Sequence, residues 1–221
     1  MTTHIPAEAA IVYPESDGQP MADNTLQFEW ITTIKYGIEA LVRERADVFV
    51  AGDLLWYPVQ GEPTICTAPD VLVVAGRPKG YRGSYKQWEE DNLPPQVVFE
   101  VQSPSNHLNE MVRKVLFYER YGVEECYIYD PQRGRVDGWR RTNGELEAIA
   151  EMDGWVSPRF GIRFRLAGGE LTLYAPNGER FATYLEVLEQ RDQERREKEL
   201  ALARAERLAA QLQALGIEPV A

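Results

Sequence analysis

Asp70, within Ala68-Pro69-Asp70-Val71-Leu72-Val73-Val74, and Glu100, within Gln96-Val97-Val98-Phe99-Glu100-Val101-Gln102, both stand in apolar runs that read as buried strands. A carboxylate in such a place costs several kcal/mol, on the order given for buried ions, unless a cation offsets its lost hydration. Lys114, on the predicted helix that follows, is the natural counter-charge. Because alternate strand residues share a face, Glu100 and Gln102 point into the same space, and both carry oxygen that suits a hard cation. If Asp70 ends the neighbouring strand, two carboxylates meet that repel each other unless a cation lies between them. The chemistry expected is Mg²⁺- or Mn²⁺-dependent hydrolysis of a phosphodiester. Asp70 and Glu100 would be the metal ligands, Gln102 would assist, and Lys114 would orient the attacking water or stabilise developing charge. Each residue alone also fits a plainer role: a turn Asp, an edge-strand Glu, a solvated Lys.

The elements that must position these groups follow from periodicity. Asp23 or Asn24 is a plausible N-cap for a helix running to about Arg45, with Phe28, Ile31, Ile34, Ile38 and Leu41 at helical spacing. Val48 to Ala51 reads as a strand that Asp53 to Tyr57 prolongs, and Asp70 opens the next. Gln96 to Gln102 is a third strand. A helix is expected from Ser105 or Asn106 to Tyr121, with Leu108, Met111, Val112, Val115 and Leu116 on its inner side, and Glu125 to Tyr129 forms a fourth strand. Two hairpin signals follow, Asn143-Gly144 and Asn177-Gly178. From Phe181 onward a long helix is expected. It is almost wholly charged between Glu189 and Glu199, and then carries a narrow stripe of Leu202, Ala205, Leu208, Leu212 and Leu215. Such a stripe calls for a partner helix or self-association.

Composition narrows the partners. The 221 residues, 44% hydrophobic and 27% charged, suffice for one α/β core with an appendage. The first residues lack a basic patch followed by an apolar stretch, and no later run approaches a membrane span, so a cytoplasmic protein with no membrane partner is expected. Cys66 and Cys126 then read as reduced thiols, and with His4 and His107 they cannot build a zinc site of the usual spacing. The net charge of −11 argues against a broad electrostatic footprint for nucleic acid. Arg77, Lys79, Arg82 and Lys86 form a local basic cluster, which admits either phosphate contact or a solvated loop. His107 reads as a cap or solvent residue more than a base, Tyr118 as substrate alignment or packing, and Asp53 as a further ligand or a turn.

The order Pro69-Asp70, Glu100-x-Gln102, Lys114 resembles the PD-(D/E)XK nuclease superfamily, and more closely the bacterial Uma2 family grouped with restriction endonucleases. Tyr13-Pro14-Glu15-Ser16-Asp17-Gly18, Gly76-Arg77-Pro78-Lys79-Gly80, Glu100-Val101-Gln102-Ser103-Pro104-Ser105, Tyr121-Gly122-Val123-Glu124-Glu125, Tyr129-Asp130-Pro131 and Ser157-Pro158-Arg159 extend that resemblance over nearly the whole chain. It implies that Asp70 and Glu100 bind the metal. The superfamily lysine stands two residues after the Glu, where this chain has Gln102, so Lys114 would be a migrated equivalent. Superfamily relatives also place an acid on the first helix, for which Asp23 and Glu29 are the candidates.

The resulting expectation is an α/β restriction-endonuclease-like fold, a central mixed sheet flanked by helices, over residues 1–185, with a protruding charged helix over 186–221 that forms a coiled coil or homo-oligomer contact. The expected substrate is DNA. Two rivals stand beside the endonuclease: a nuclease fold kept as a binding or assembly module, favoured by acidity and the missing in-strand lysine, and a phosphohydrolase acting on small molecules.

Overall fold

The computed structural model describes residues 11–104 and 108–215. The chain divides between Phe181 and Ala182 into two compact units, four residues before the boundary expected from the charge run. In the first unit, helix α1 (Thr25–Leu41) leads to strands β1 (Val48–Gly52), β2 (Trp56–Tyr57), β3 (Val71–Ala75), β4 (Tyr85–Lys86) and β5 (Val97–Val101). Helix α2 (Leu108–Tyr121) then crosses to β6 (Glu125–Asp130), followed by β7 (Arg135–Thr142), β8 (Glu145–Ala148), β9 (Arg163–Ala167) and β10 (Glu170–Tyr174). The second unit holds helix α3 (Tyr184–Ala214).

Six strands form the central sheet in the order β1-β3-β5-β6-β7-β8. Only β5 and β6 run parallel, and α2 joins them as a parallel pair requires; the remaining neighbours are antiparallel, so the sheet is mixed. The hairpin between β7 and β8 turns at Asn143 and Gly144, both with positive φ, as the Asn-Gly pair predicts. β9 and β10 pair in a separate two-stranded sheet, as do β2 and β4.

Alternation along β3 and β5 splits the core into two layers. Val71, Val73, Val97, Phe99 and Val101 face α1, whose Ile31, Ile34 and Ile38 are buried against them together with Phe164, Leu171 and Leu173 of the β9–β10 hairpin. Leu72, Val74 and Val98 face the other way, against Met111 and Tyr118 of α2. Each fully buried aliphatic side chain contributes about 1.5–3 kcal/mol. Glu100 has the parity of Val98 and therefore points into the α2 layer.

Three local expectations are corrected. α1 is capped by Asn24, whose side chain accepts from Gln27 N at 2.9 Å, but its buried stripe runs through Gln27, Ile31, Ile34 and Ile38, leaving Phe28 50% exposed, and it ends at Leu41 because Val42 leaves helical geometry. β1 does not continue through Tyr57: Asp53 turns the chain at φ 48, and Trp56–Tyr57 pairs instead with Tyr85–Lys86. On α2 the inner side is Met111, Val115 and Tyr118, while Val112 and Leu116 are exposed. The expected caps Ser105 and Asn106, together with His4 and His107, lie outside the described residues. α3 opens with a capping box between Thr183 and Glu186 and has no buried side chain. Among the described residues no helix is long and apolar enough to cross a membrane.

Candidate active site

Strand register brings the two acids together. β3 and β5 pair through Val71 and Phe99, and one further step along the same ladder sets Asp70 opposite Glu100. Asp70 is fixed there by its own carboxylate, which accepts the Val101 backbone N–H at 2.6 Å through Oδ2. Its other oxygen, Oδ1, has no hydrogen-bond partner among the described residues. Glu100, 2% exposed, is gripped from above by α2: Lys114 Nζ lies 2.7 Å from Oε2, and the Tyr118 hydroxyl donates to Oε1. Lys114 and Tyr118 are one helical turn apart, the spacing that lets two side chains reach one target. Lys114 Nζ also faces the Ala68 carbonyl at 3.5 Å. The structure thus brings together Asp70, Glu100 and Lys114 of the four residues singled out by sequence.

Gln102 is placed differently. It stands half-buried just beyond β5, its backbone N–H donating to Tyr129 O at 2.7 Å, and its side chain makes no hydrogen bond to Asp70, Glu100 or Lys114 among the described residues. Neither candidate for a first-helix acid reaches the pair. α1 packs on the opposite layer, Glu29 is exposed, and Asp23 accepts from Ser103 Oγ at 2.5 Å.

The electrostatics of the pair are those of an acid without enough counter-charge. Burial, then the neighbouring Glu100, pushes the Asp70 carboxyl well above its usual range; Lys114 and the Val101 N–H offset only part of this. For Lys114, burial pulls the ammonium down, but Glu100 and then Asp70 pull harder the other way, so it stays protonated. Burial and Glu100 drive the Tyr118 hydroxyl well up, which keeps it a hydrogen-bond donor.

Two contributors were left open between a site role and a plainer one in the sequence. Tyr118 sits four residues after Lys114, a spacing that was visible, yet nothing distinguished it from ten other tyrosines. Asp53 extends the row of acids: its N–H donates to the Asp70 carbonyl at 3.2 Å, and continuing the β1–β3 register sets it opposite Asp70. Its carboxyl is raised by burial and then by Asp17, with Lys114 lowering and Glu100 raising it, so it senses the same centre. The signal was the turn-forming Gly52-Asp53, where a left-handed Asp ends the strand. Among the described residues, no three Asp, Glu, His or Cys side chains gather in a geometry that could hold a metal ion.

The basic cluster between the acidic strands is committed to the fold. Arg77 bonds Glu90 at 2.8 Å and also Asp91, and Arg82 grips the same Glu90 at 2.5 Å while lying over the Phe49 ring. Lys79 donates to the carbonyls of Val42 and Arg43 at the end of α1, where a cation complements the helix dipole, and Lys86 lies 3.5 Å from Glu89.

A family model described as "Putative restriction endonuclease", Uma2, matches residues 20–167. The chain belongs to the Uma2 family. Its matched span contains Asp53, Asp70, Glu100, Lys114 and Tyr118. Among solved structures, a crystal structure titled as a putative nuclease belonging to DUF820 from Anabaena variabilis aligns at 17% identity over 61% of this chain and 72% of that chain, with a TM-score of 0.46. No curated protein matches.

Proposed function

We propose that this Uma2 member is a Mg²⁺- or Mn²⁺-dependent endonuclease that hydrolyses phosphodiester bonds in DNA. The observation that carries the reading is the cross-strand pair Asp70 and Glu100 with Lys114 Nζ 2.7 Å from Glu100 Oε2. The donor set fits the ion. Mg²⁺ is commonly bound by one or two carboxylates plus waters and substrate phosphates, not by an all-protein cage. Asp70 offers an oxygen with no hydrogen-bond partner among the described residues, and its carboxyl is raised as a site short of positive charge would raise it.

A bound divalent ion would polarise a phosphoryl oxygen and acidify a water. Asp70 and Glu100 would hold it. Tyr118 locks the Glu100 carboxylate from one side and Lys114 from the other, so the ligand oxygens are pre-positioned. Of the three ammonium donors of Lys114, Glu100 takes one and the Ala68 carbonyl faces another. The third would be left to orient the attacking water or to stabilise charge gathering on the phosphoryl oxygens. Gln102 would assist only through a side-chain rearrangement or a water.

The rival reading, a nuclease fold kept as a binding module, draws on Glu100 having both oxygens already engaged by Lys114 and Tyr118. Calorimetry with Mn²⁺ separates the two, since a module has no need of cation binding that depends on Glu100. The test of the proposal is cleavage of supercoiled plasmid and of single-stranded DNA with Mg²⁺ or Mn²⁺, wild type against Asp70→Ala. Cleavage by the wild type that is lost in the variant supports the assignment, and equal cleavage by both removes Asp70 from it. We further propose that the leucine stripe of α3 joins two copies of the chain.

A further inference from the structure

Most cations of the first unit are spent on nearby acids or carbonyls. Arg77 and Arg82 hold Glu90, Lys114 holds Glu100, Arg135 holds Asp137, Arg165 holds Asp153, and Arg141 donates to carbonyls including Val123 O at 2.7 Å. Arg113 and Arg120 are exceptions. Both are exposed, and among the described residues neither has a carboxylate partner; Arg120 lies only against the Tyr121 ring, 5.5 Å from its centroid.

The two line the same groove. It has a volume of about 390 Å³ and lies between α2 and the segment Thr64 to Cys66, with Leu116, Phe117 and Tyr121 between and beside the arginines. Arg113, Phe117 and Arg120 fall at helical spacings of four and three residues and so share one stripe of α2, with Tyr121 one turn beyond Phe117. Lys114 and Tyr118 form the adjoining stripe, which bends down to Glu100. The chain of the opposite wall continues from Cys66 through Ala68, whose carbonyl faces Lys114 Nζ at 3.5 Å, to Asp70. The α2 wall and the Thr64–Cys66 wall thus approach each other beside the acid pair, where Lys114 meets Ala68.

We propose that this groove is the track of a single nucleic-acid strand entering the candidate active site, with Arg113 and Arg120 holding phosphates and Phe117 and Tyr121 offering ring surface to unpaired bases. The inference rests on the nuclease reading for the purpose of the track, not for its existence. Charge complementarity selects the occupant: in a chain of net charge −11, two guanidiniums with no carboxylate partner among the described residues, flanking aromatic side chains, match a polyanion with exposed bases. A duplex would present phosphates but no free base faces to those rings.

The experiment is fluorescence anisotropy of a labelled oligodeoxythymidylate with the full chain in EDTA, at several salt concentrations, comparing wild type with Arg113→Ala/Arg120→Ala. The double variant should bind at least tenfold more weakly, and the slope of log affinity against log salt should shrink by about 1.4, at roughly 0.7 per phosphate on a single strand. Arg113→Lys/Arg120→Lys should keep most of the affinity, and Arg133→Ala/Arg135→Ala, at cations already paired with Asp130 and Asp137, should keep all of it. Unchanged binding by the alanine variant, no binding by the wild type, or tighter binding of a duplex than of the single strand would each overturn the track. Mn²⁺ calorimetry on the same alanine variant should match wild type. Arginine-dependent binding by a protein that cleaves nothing would leave the track standing and remove the nuclease reading.

Discussion

Lys114 Nζ and Glu100 Oε2 stand 2.7 Å apart across two different elements, the lysine side chain 20% exposed and the glutamate side chain 2%. Removing one partner of such a pair is costly because the other remains buried and uncompensated. Lys114→Met should therefore destabilise the fold by about 3 kcal/mol, near the lower end for broken buried pairs. Pairing it with Glu100→Gln should recover a large part of that loss, since the Glu100 charge that Lys114 held is then removed as well. Urea unfolding of the two single variants and the double variant measures the coupling directly. Additive losses would show that the two side chains do not act as a pair.

Asp70 gives the fold an unusual pH dependence. Its folded carboxyl holds a proton more tightly than the unfolded one, whose ordinary value is 3.8. The contribution is therefore fully present below that value and is lost as pH rises through the raised folded value, the reverse of a salt-bridged Asp. In EDTA at neutral pH, Asp70→Asn should be more stable than wild type, with the gap closing as pH falls toward about 4. Mn²⁺ should then stabilise the wild type, by about 2.7 kcal/mol at a hundredfold excess over its dissociation constant, and leave the variant unmoved. Denaturant titrations across pH 4 to 8 with and without the ion decide it. A variant less stable than wild type at neutral pH would mean that Asp70 is a structural carboxylate.

The legible part of this protein was the part written in local pattern. Asp70 and Glu100 stood out because charges interrupt runs that must be buried, and Lys114 because a buried acid needs a partner. Register was not legible: that Asp70 falls opposite Glu100, and Asp53 opposite Asp70, depends on which strands neighbour which. The inward face of α2 was misassigned by one step because Val112 and Leu116 are apolar yet exposed, while the polar-tipped Tyr118 is fully buried with its hydroxyl on Glu100. The basic cluster misled for a related reason. Sequence shows Arg77 and Arg82 near each other but not that Glu90 and Asp91 return to neutralise them.

Glu125 is a buried acid of a different kind. At 2% exposed it accepts from Tyr127 Oη at 2.8 Å, Ser157 Oγ at 2.6 Å and the Arg159 backbone N–H at 2.7 Å, and among the described residues no cation pairs with it. It lies at the end of β6 away from Glu100, pairing with Val97, and ties the segment before β9 to the sheet. Glu125→Ala should cost about 2–3 kcal/mol, because three donors lose a charged acceptor at once. Mn²⁺ binding should be unaffected in the folded fraction. A Glu125 variant that folds normally but loses the ion would move the cation site to the wrong end of the sheet.

α3 must also find cover for its leucines. Leu202, Leu208 and Leu215 are 55%, 51% and 74% exposed, and the helix buries none of its own side chains. A 31-residue helix that buries none of its side chains gains little from propensity alone, and its C-terminal leucine stripe is expected to pair with a copy of itself. Sedimentation equilibrium of the full chain should give a dimer at micromolar concentration. Leu208→Glu/Leu212→Glu places like charges at the centre of the seam and should return a monomer, with a loss of helicity confined to this segment. Both positions lie in the second unit, and Mn²⁺ affinity per chain should not change. A wild type that sediments as a monomer at every concentration would leave the stripe to another partner.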